Sequence, residues 1–489
     1  LISAVLLGKG DNVAVLVDGG KKGDSFSQRE ERILLTEDIP PGHKVALEDI
    51  EEGSMILKYD HVIGIAKNFI PRGSRVHVHN VKTHLEPGTD LAFDPRPVEL
   101  EIGESAGTFK GFLRPDGRVG IRNELWVIPA VGCVNTVVQV LASRYEVPGW
   151  IDRVQVLSHP YGCSQLGRDL EFTADALAGL ARNGNAAGVL IVGLGCENLQ
   201  PEMMKERLAD HPNIRFLQLQ DVEDEESAFF RLLDELAADA SRERVECPLY
   251  SLIIGVKCGG SDAYSSLTAN PLVGYVADRV VSWGGTVLAT EIPEMFGAED
   301  MLVSRMSDRT VFDDFVNMIN WFKDYFISYN QPIYENPSPG NKEGGITTLE
   351  EKSIGAVKKA GSGPVTDVLG YGRPSMKKGV NIVFSPGNDL VSTTALAASG
   401  AHIILFTTGR GTPFGSVVPT IKISTNSELA RKKAGWIDFN AGTILDKGDW
   451  DSHILSLSEL LKETASGKQT LNEKNGLFEI SIFRHGVTL

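Results

Sequence analysis

The chain has 489 residues, 42% hydrophobic and 23% charged, which at roughly 150 residues per domain is enough for about three globular units. A formal net charge of −16 with no basic run makes the chain a poor candidate for binding nucleic acid or anionic membranes. No run of about 20 apolar residues is present to cross a bilayer, and five cysteines in a chain this long predict free thiols in a reducing cytoplasm rather than a disulfide framework.

In chain order, the apolar opening lacks the basic region and cleavage site of a signal peptide, and the alternation over Asn12–Asp18 reads as a strand. Further short strands are expected at Arg32–Leu35 and Arg75–His79. Two segments share one pattern, Ile39-Pro-Pro-Gly-His-Lys-Val-Ala-Leu and Ile70-Pro-Arg-Gly-Ser-Arg-Val-His-Val. Residues 1–85 therefore read as a small all-β module. His77 and His79 lie two apart in the last strand, so both imidazoles are expected on one face beside Asn80, where they could hold a metal or an anion. Residues 86–107, with Pro87, Pro95 and Pro97, read as a linker.

Beyond it the character is α/β. Apolar runs at Glu124–Pro129, Val154–Leu157, Gly188–Val192, Leu249–Gly255, Gly379–Phe384 and His402–Phe406 alternate with helical stretches such as Asp169–Arg182 and Glu225–Arg242. Buried parallel strands have this look. One or two α/β layers with right-handed crossovers are expected. Residues 334–347 form a Pro/Gly-rich loop too long to be a plain connection.

Four cysteines, Cys133, Cys163, Cys196 and Cys258, each follow a predicted strand. Ligands bind at the carboxyl ends of strands in open parallel sheets, so four thiols could converge on one cleft. Cys258 leads into Gly259-Gly-Ser-Asp262, where glycines admit an anion to the backbone and Ser261 and Asp262 can bind hydroxyls or a metal. Ser385-Pro-Gly-Asn-Asp389 and Thr407-Thr-Gly-Arg410 repeat that logic, and Arg410 suits a carboxylate. Arg114–Asn123 packs three arginines and an Asp into one segment that could clamp a carboxylate or form a salt-bridged turn. Glu291 and Glu294 follow another strand, where a carboxylate can serve as general base. No P-loop is present, and Gly193-Leu-Gly-Cys196 lacks the third glycine of a dinucleotide fingerprint.

Taken in order, Val76-His-Val-His-Asn80, Gly111–Asn123, His159-Pro-Tyr-Gly-Cys163, Gly195-Cys-Glu197, Lys257–Asp262, Asn270-Pro, Glu291-Ile-Pro-Glu294 and Ser385–Asp389 resemble the altronate/galactarate dehydratase family over essentially the whole chain. At Cys133 the sequence reads Gly-Cys-Val-Asn, where the resemblance leads one to expect a Cys-Ser pair. The resemblance implies an N-terminal β-clip (SAF-like) domain, an α/β middle domain over 108–245 used in dimerisation, a Rossmann-like catalytic domain with a parallel sheet over 246–489, a homodimer and activation by Fe²⁺, with Mn²⁺ or another divalent ion or an iron–sulfur cluster as open alternatives. Length and wording lie nearer the altronate members. That implies a hydro-lyase converting D-altronate to 2-dehydro-3-deoxy-D-gluconate in hexuronate catabolism. A galactarate dehydratase, a sulfolactate sulfo-lyase-like enzyme and a non-catalytic sugar-acid-binding protein are the alternatives. Such a dehydration needs a base for the C2 proton, a Lewis acid for the enediolate and an acid for the C3 hydroxyl. The residues then expected at the metal are Cys163, Cys196, Cys258, His77, His79, Asp262 and Asp389. Arg410, Asn388, Ser261 and Asn80 are expected at substrate, and Lys257, His159 and Glu291 are unranked candidates for the base.

Overall fold

The computed structural model describes residues 2–86, 88, 91–96, 98, 107–306 and 308–486. At the N-terminus, short strands between Pro-Gly turns pair antiparallel. Val13–Leu16 lies between Ala4–Val5 and Lys44–Ala46, with Arg75–Val76 on the far edge. The two Pro-Gly segments end as partners, Lys44 opposite Val76 and Val45 opposite Arg75. A third copy, Ile50-Glu-Glu-Gly-Ser-Met55, escapes the sequence pattern because it lacks proline, yet it opens the strand Met55–Lys58, and Ile50 bridges to Ile70.

The strand expected over 75–79 stops at Val76. Residues 77–80 turn instead: Asn80 Oδ1 accepts from His77 N at 2.9 Å, and His77 O accepts from Asn80 N at 3.0 Å. An asparagine side chain competes with the ladder in just this way. The turn buries His77 and exposes His79, so the two imidazoles do not share a face. Most of the expected linker lies outside the described residues. Within it, Phe93 packs on Phe312 with ring centroids 5.3 Å apart, and Arg96 N donates to Ser304 O at 2.7 Å.

The middle region carries a four-stranded parallel sheet in the order Arg153–Val156, Glu124–Pro129, Ala186–Gly193, Ile214–Gln218. Its two central strands are buried on both faces, which their unbroken apolar runs require. Leu125 and Val127 pack with helices Asn135–Arg144 and Glu225–Asp239. Trp126 and Ile128 face the other way, into the core shared with helix Gly167–Ala181 and the C-terminal region.

The C-terminal sheet has seven strands, all parallel, in the spatial order Val365–Leu369, Gly379–Val383, Thr286–Ala289, Ile253–Cys258, Ile403–Thr408, Thr420–Ser424, Phe439–Asn440. The run expected from Leu249 becomes a strand only at Ile253, because Leu249–Ser251 form a 3₁₀ turn after Pro248. Connections leave Ile253–Cys258 to one side first and return on its other side at Ile403–Thr408. That reversal opens a crevice beyond the carboxyl ends of these strands.

Buried ion pairs join the regions. Glu351 accepts from Lys44 at 2.8 Å and from Lys58 at 2.7 Å, fixing the N-terminal module to helix Leu349–Val357. Glu473 accepts from Arg122 at 2.7 Å and from Arg153 at 2.6 Å, fixing the middle region to the C-terminal segment.

Candidate active site

A cleft of about 380 Å³ opens where the seven-stranded sheet ends, lined among others by Cys258, Ser261, Glu294, Lys352, Asn388 and Asp389. Lys257, the penultimate residue of its strand, is fully buried behind it. Its Nζ pairs with Glu291 Oε1 and, at 3.0 Å, with Asp389 Oδ1. It also donates to the Cys258 carbonyl at 2.6 Å and the Gly387 carbonyl at 3.2 Å. Lys359 Nζ lies 2.7 Å from Cys258 Sγ and 3.0 Å from Glu291 Oε2. Lys352 Nζ lies 2.9 Å from Glu294 Oε1 and 3.0 Å from Asn336 Oδ1. Three ammonium groups thus face three carboxylates. Glu291 reaches this position with φ of 71°, a left-handed conformation that costs a non-glycine residue about 1–3 kcal/mol and is concentrated at functional sites.

The electrostatics sort these groups. Burial works to lower the Lys257 ammonium, but Glu291, Asp389 and Glu294 outweigh it and hold its pKa well above the ordinary lysine value. Lys257 is therefore a fixed cation and not a base at neutral pH. Burial likewise works to raise Glu294, yet Lys352, Lys257 and Lys359 bring it down to about 2. Burial, with Glu291 beside it, pushes the Cys258 thiol up to about 11, so it stays protonated. Among the three carboxylates the Asp389 side chain is 31% exposed, against 2% for Glu291 and 5% for Glu294, so Asp389 is the one a substrate can reach.

The other expected site residues divide. Ser261 and Asn388 line the cleft, and Asn388 Oδ1 also caps helix Asp389–Ala398 by accepting from Leu390 N and Val391 N. Asp262 points away: its carboxylate accepts from Ser265 N at 2.9 Å and Thr425 Oγ1 at 3.0 Å, and burial raises its pKa. Arg410 lies beyond the short helix Pro339–Glu343, paired with Glu343 at 3.2 Å, and lines a separate groove of about 650 Å³ with Asp18, Tyr264 and Asn426.

His77 packs edge-on against His43 with ring centroids 4.8 Å apart, and His43 Nε2 reaches Glu343 O at 3.2 Å, so this pair backs the same short helix. Burial pulls His77 down to about 3 and His43 to about 4. Asn80 only braces the turn, donating to Arg75 O at 2.8 Å. His159 belongs to the middle region. Its Nε2 lies 2.7 Å from Pro129 O, its Nδ1 accepts from Tyr161 N at 3.2 Å, and burial lowers it to about 4, so both nitrogens are spent on joining loops. Arg114–Asn123 is an internal brace: Arg114 donates to Asn123 Oδ1 at 2.7 Å and Arg122 O at 2.6 Å. The four strand-end thiols do not converge. Cys258 is buried on the seven-stranded sheet, whereas Cys133, Cys163 and Cys196 are exposed on loops of the middle sheet.

Lys352 and Lys359 escape the sequence reading. The signal is there: Lys352 and Lys359 are seven apart, about two helical turns, on either side of Ser353-Ile-Gly-Ala-Val357 and Lys358. Their value depends on the partners the fold supplies.

Cys258, Glu291 and Glu294 hold donor atoms within 4.8 Å of one another, the only such trio of metal-binding side chains among the described residues. Each is already engaged by a lysine, and the buried charges balance. A divalent ion would add two positive charges to a neutral, desolvated set and compete with three ammonium groups for its ligands. This arrangement does not fit a resident divalent ion.

The chain matches the family description "Altronate/galactarate dehydratase SAF domain" over residues 2–84, "D-galactarate dehydratase/Altronate hydrolase, second domain" over 111–241, and "D-galactarate/Altronate dehydratase, C-terminal" over 249–488. An α/β protein with this β-rich module and this strand-end cleft thus belongs to the altronate/galactarate dehydratase family. It is 46% identical to altronate dehydratase of Bacillus subtilis (strain 168) over 100% of both chains, and 44% identical to altronate dehydratase of Escherichia coli (strain K12) over 98% of both. Galactarate dehydratase (L-threo-forming) of Escherichia coli (strain K12) is 35% identical over 97% of this chain and 95% of its own.

Proposed function

We propose that the chain is a hydro-lyase that converts D-altronate to 2-dehydro-3-deoxy-D-gluconate in hexuronate catabolism. The observation that carries the substrate is the gradient in likeness: 46% and 44% identity to two altronate dehydratases over the full chain, against 35% to galactarate dehydratase. The reading includes a homodimer, iron as the cofactor and a cytoplasmic location, the last of which five unpaired cysteines fit.

The cleft supplies the proton chemistry. Asp389, the exposed carboxylate, takes the C2 proton of the bound sugar acid. Lys257 stays charged behind it and stabilises the enediolate that forms on the substrate carboxylate, a role for a fixed cation in a water-poor site. Lys352, on the opposite wall, gives a proton to the departing C3 hydroxyl, which leaves as water. Ser261, Asn336 and Asn388 line the cleft at positions suited to the sugar hydroxyls. The enol then tautomerises to the 2-keto acid.

The test is a substrate panel with the iron-loaded enzyme, scored by appearance of the keto-deoxy acid. Turnover of altronate well above galactarate is expected. Binding of altronate without turnover, or preference for galactarate, overturns the reading.

A further inference from the structure

Three of the five cysteines are exposed, although cysteine is among the residue types most often buried. All three sit in one place and in one local pattern. Gly132-Cys133, Gly162-Cys163 and Gly195-Cys196 are Gly-Cys pairs in the loops after three neighbouring parallel strands of the middle sheet, Glu124–Pro129, Arg153–Val156 and Ala186–Gly193.

The loops are bonded to one another beside each thiol. Gly132 N donates to Tyr161 O at 2.9 Å, Leu199 N to Gly162 O at 3.0 Å, and Ser164 N to Asn198 Oδ1 at 2.7 Å. The glycines are required for this closeness: a Cβ on Gly162 would lie 1.9 Å from Ala130 O, and Gly162 and Gly195 have φ of 97° and 136°. Helices Asn135–Arg144 and Gly167–Ala181 begin two and four residues after Cys133 and Cys163, so the loops that carry these thiols lead into helix N-termini, the ends that favour negative charge.

We propose that Cys133, Cys163 and Cys196 hold a [4Fe–4S] cluster on three thiolates, with the fourth iron free of cysteine. A single tetrahedral ion with metal–sulfur bonds of about 2.3 Å would need its sulfurs within about 3.8 Å of one another. These three are not all within 4.8 Å, whereas a cluster spreads its thiolates over several irons. Soft thiolates also suit iron–sulfur chemistry in a way the lysine-neutralised carboxylates of the cleft do not. An iron with an open position supplies Lewis-acid chemistry toward an oxygen ligand. The trio is linked to the cleft by packing: Arg168 lies over the Trp321 ring at 5.5 Å, Phe172 is 5.8 Å from Phe384, and Ser385 next in sequence opens the loop that carries Asp389.

The test uses the full chain purified without oxygen, reconstituted with Fe²⁺ and sulfide, and read by visible absorption, electron paramagnetic resonance after reduction, and iron and acid-labile sulfide content. About four irons and four sulfides per chain are expected. Cys133→Ser, Cys163→Ser and Cys196→Ser should each lose most of that content while keeping the wild-type circular dichroism, and Cys258→Ser should retain it. Iron or zinc bound without sulfide overturns the proposal, as does a full cluster in Cys163→Ser. None of these readouts is turnover. A cluster-bearing protein inactive on altronate would overturn the substrate reading alone, and a sulfide-free protein active on altronate would overturn the cluster alone.

Discussion

Two parallel sheets in this chain each end in cysteine, and the two ends have opposite character. On the seven-stranded sheet one thiol is buried among three lysines and three carboxylates. On the four-stranded sheet three thiols stand exposed on glycine-braced loops. The same residue type at the same topological position is enclosed by paired charges in the first setting and open to solvent in the second, where we propose soft-ligand chemistry. What surrounds the sulfur decides which.

The largest effect that tests this contrast is on turnover. Asp389→Asn removes the accessible carboxylate and should lower kcat by about 10²–10⁴-fold with little change in thermal midpoint, since the residue is partly exposed. A variant within threefold of wild type would take Asp389 out of the proton path.

Next is the buried triad that seats the N-terminal module. Glu351→Ala leaves Lys44 and Lys58 desolvated without their shared partner and should cost about 3–5 kcal/mol. Denaturation of the variant alone and with Lys44→Met and Lys58→Met added measures it; failure of the triple variant to recover stability would mean the packing, not the charge, is lost.

A smaller effect is expected in acid. Glu294 has an ordinary value near 4.5 and is held at about 2 by its lysines. A depressed carboxylate stabilises fully above its unfolded value, and that stabilisation is lost as pH falls from about 4.5 to about 2. Glu294→Gln should therefore lose stability less steeply than wild type across that window, and equal slopes would remove the lysine cage from the account.

Reaction with an alkylating reagent compares the two ends directly. In metal-free protein Cys133, Cys163 and Cys196 should label first. Cys258, buried and with its thiol near 11, should label only on unfolding. Early labelling of Cys258 would contradict its burial in the cleft wall. The smallest effect is at His79, exposed on its turn: His79→Ala should change stability by less than about 0.5 kcal/mol and leave iron content unaltered.

Much of the fold could be read from the residues alone. Unbroken runs such as Gly379–Phe384 and His402–Phe406 mark strands buried on both faces, and the Pro-Gly repeats mark the β-module. Strand ends were harder to place, since Pro248 and Asn80 each impose a local turn where apolar alternation alone would continue the strand.

Of the candidate site, the sequence by itself determined that Lys257, Cys258, Glu291 and the Ser385–Asp389 loop stand at strand ends, because residue type and position in a strand are local facts. Only the tertiary structure decided that Lys352 and Lys359 join them and that Asp262 and Arg410 face elsewhere. It also decided that the four thiols divide between two sheets. The physical reason is that a charged side chain takes its role from its desolvation and its partners. Here those partners lie 34 residues from Lys257 at Glu291 and 101 residues from Cys258 at Lys359, brought together by crossovers that no local pattern encodes.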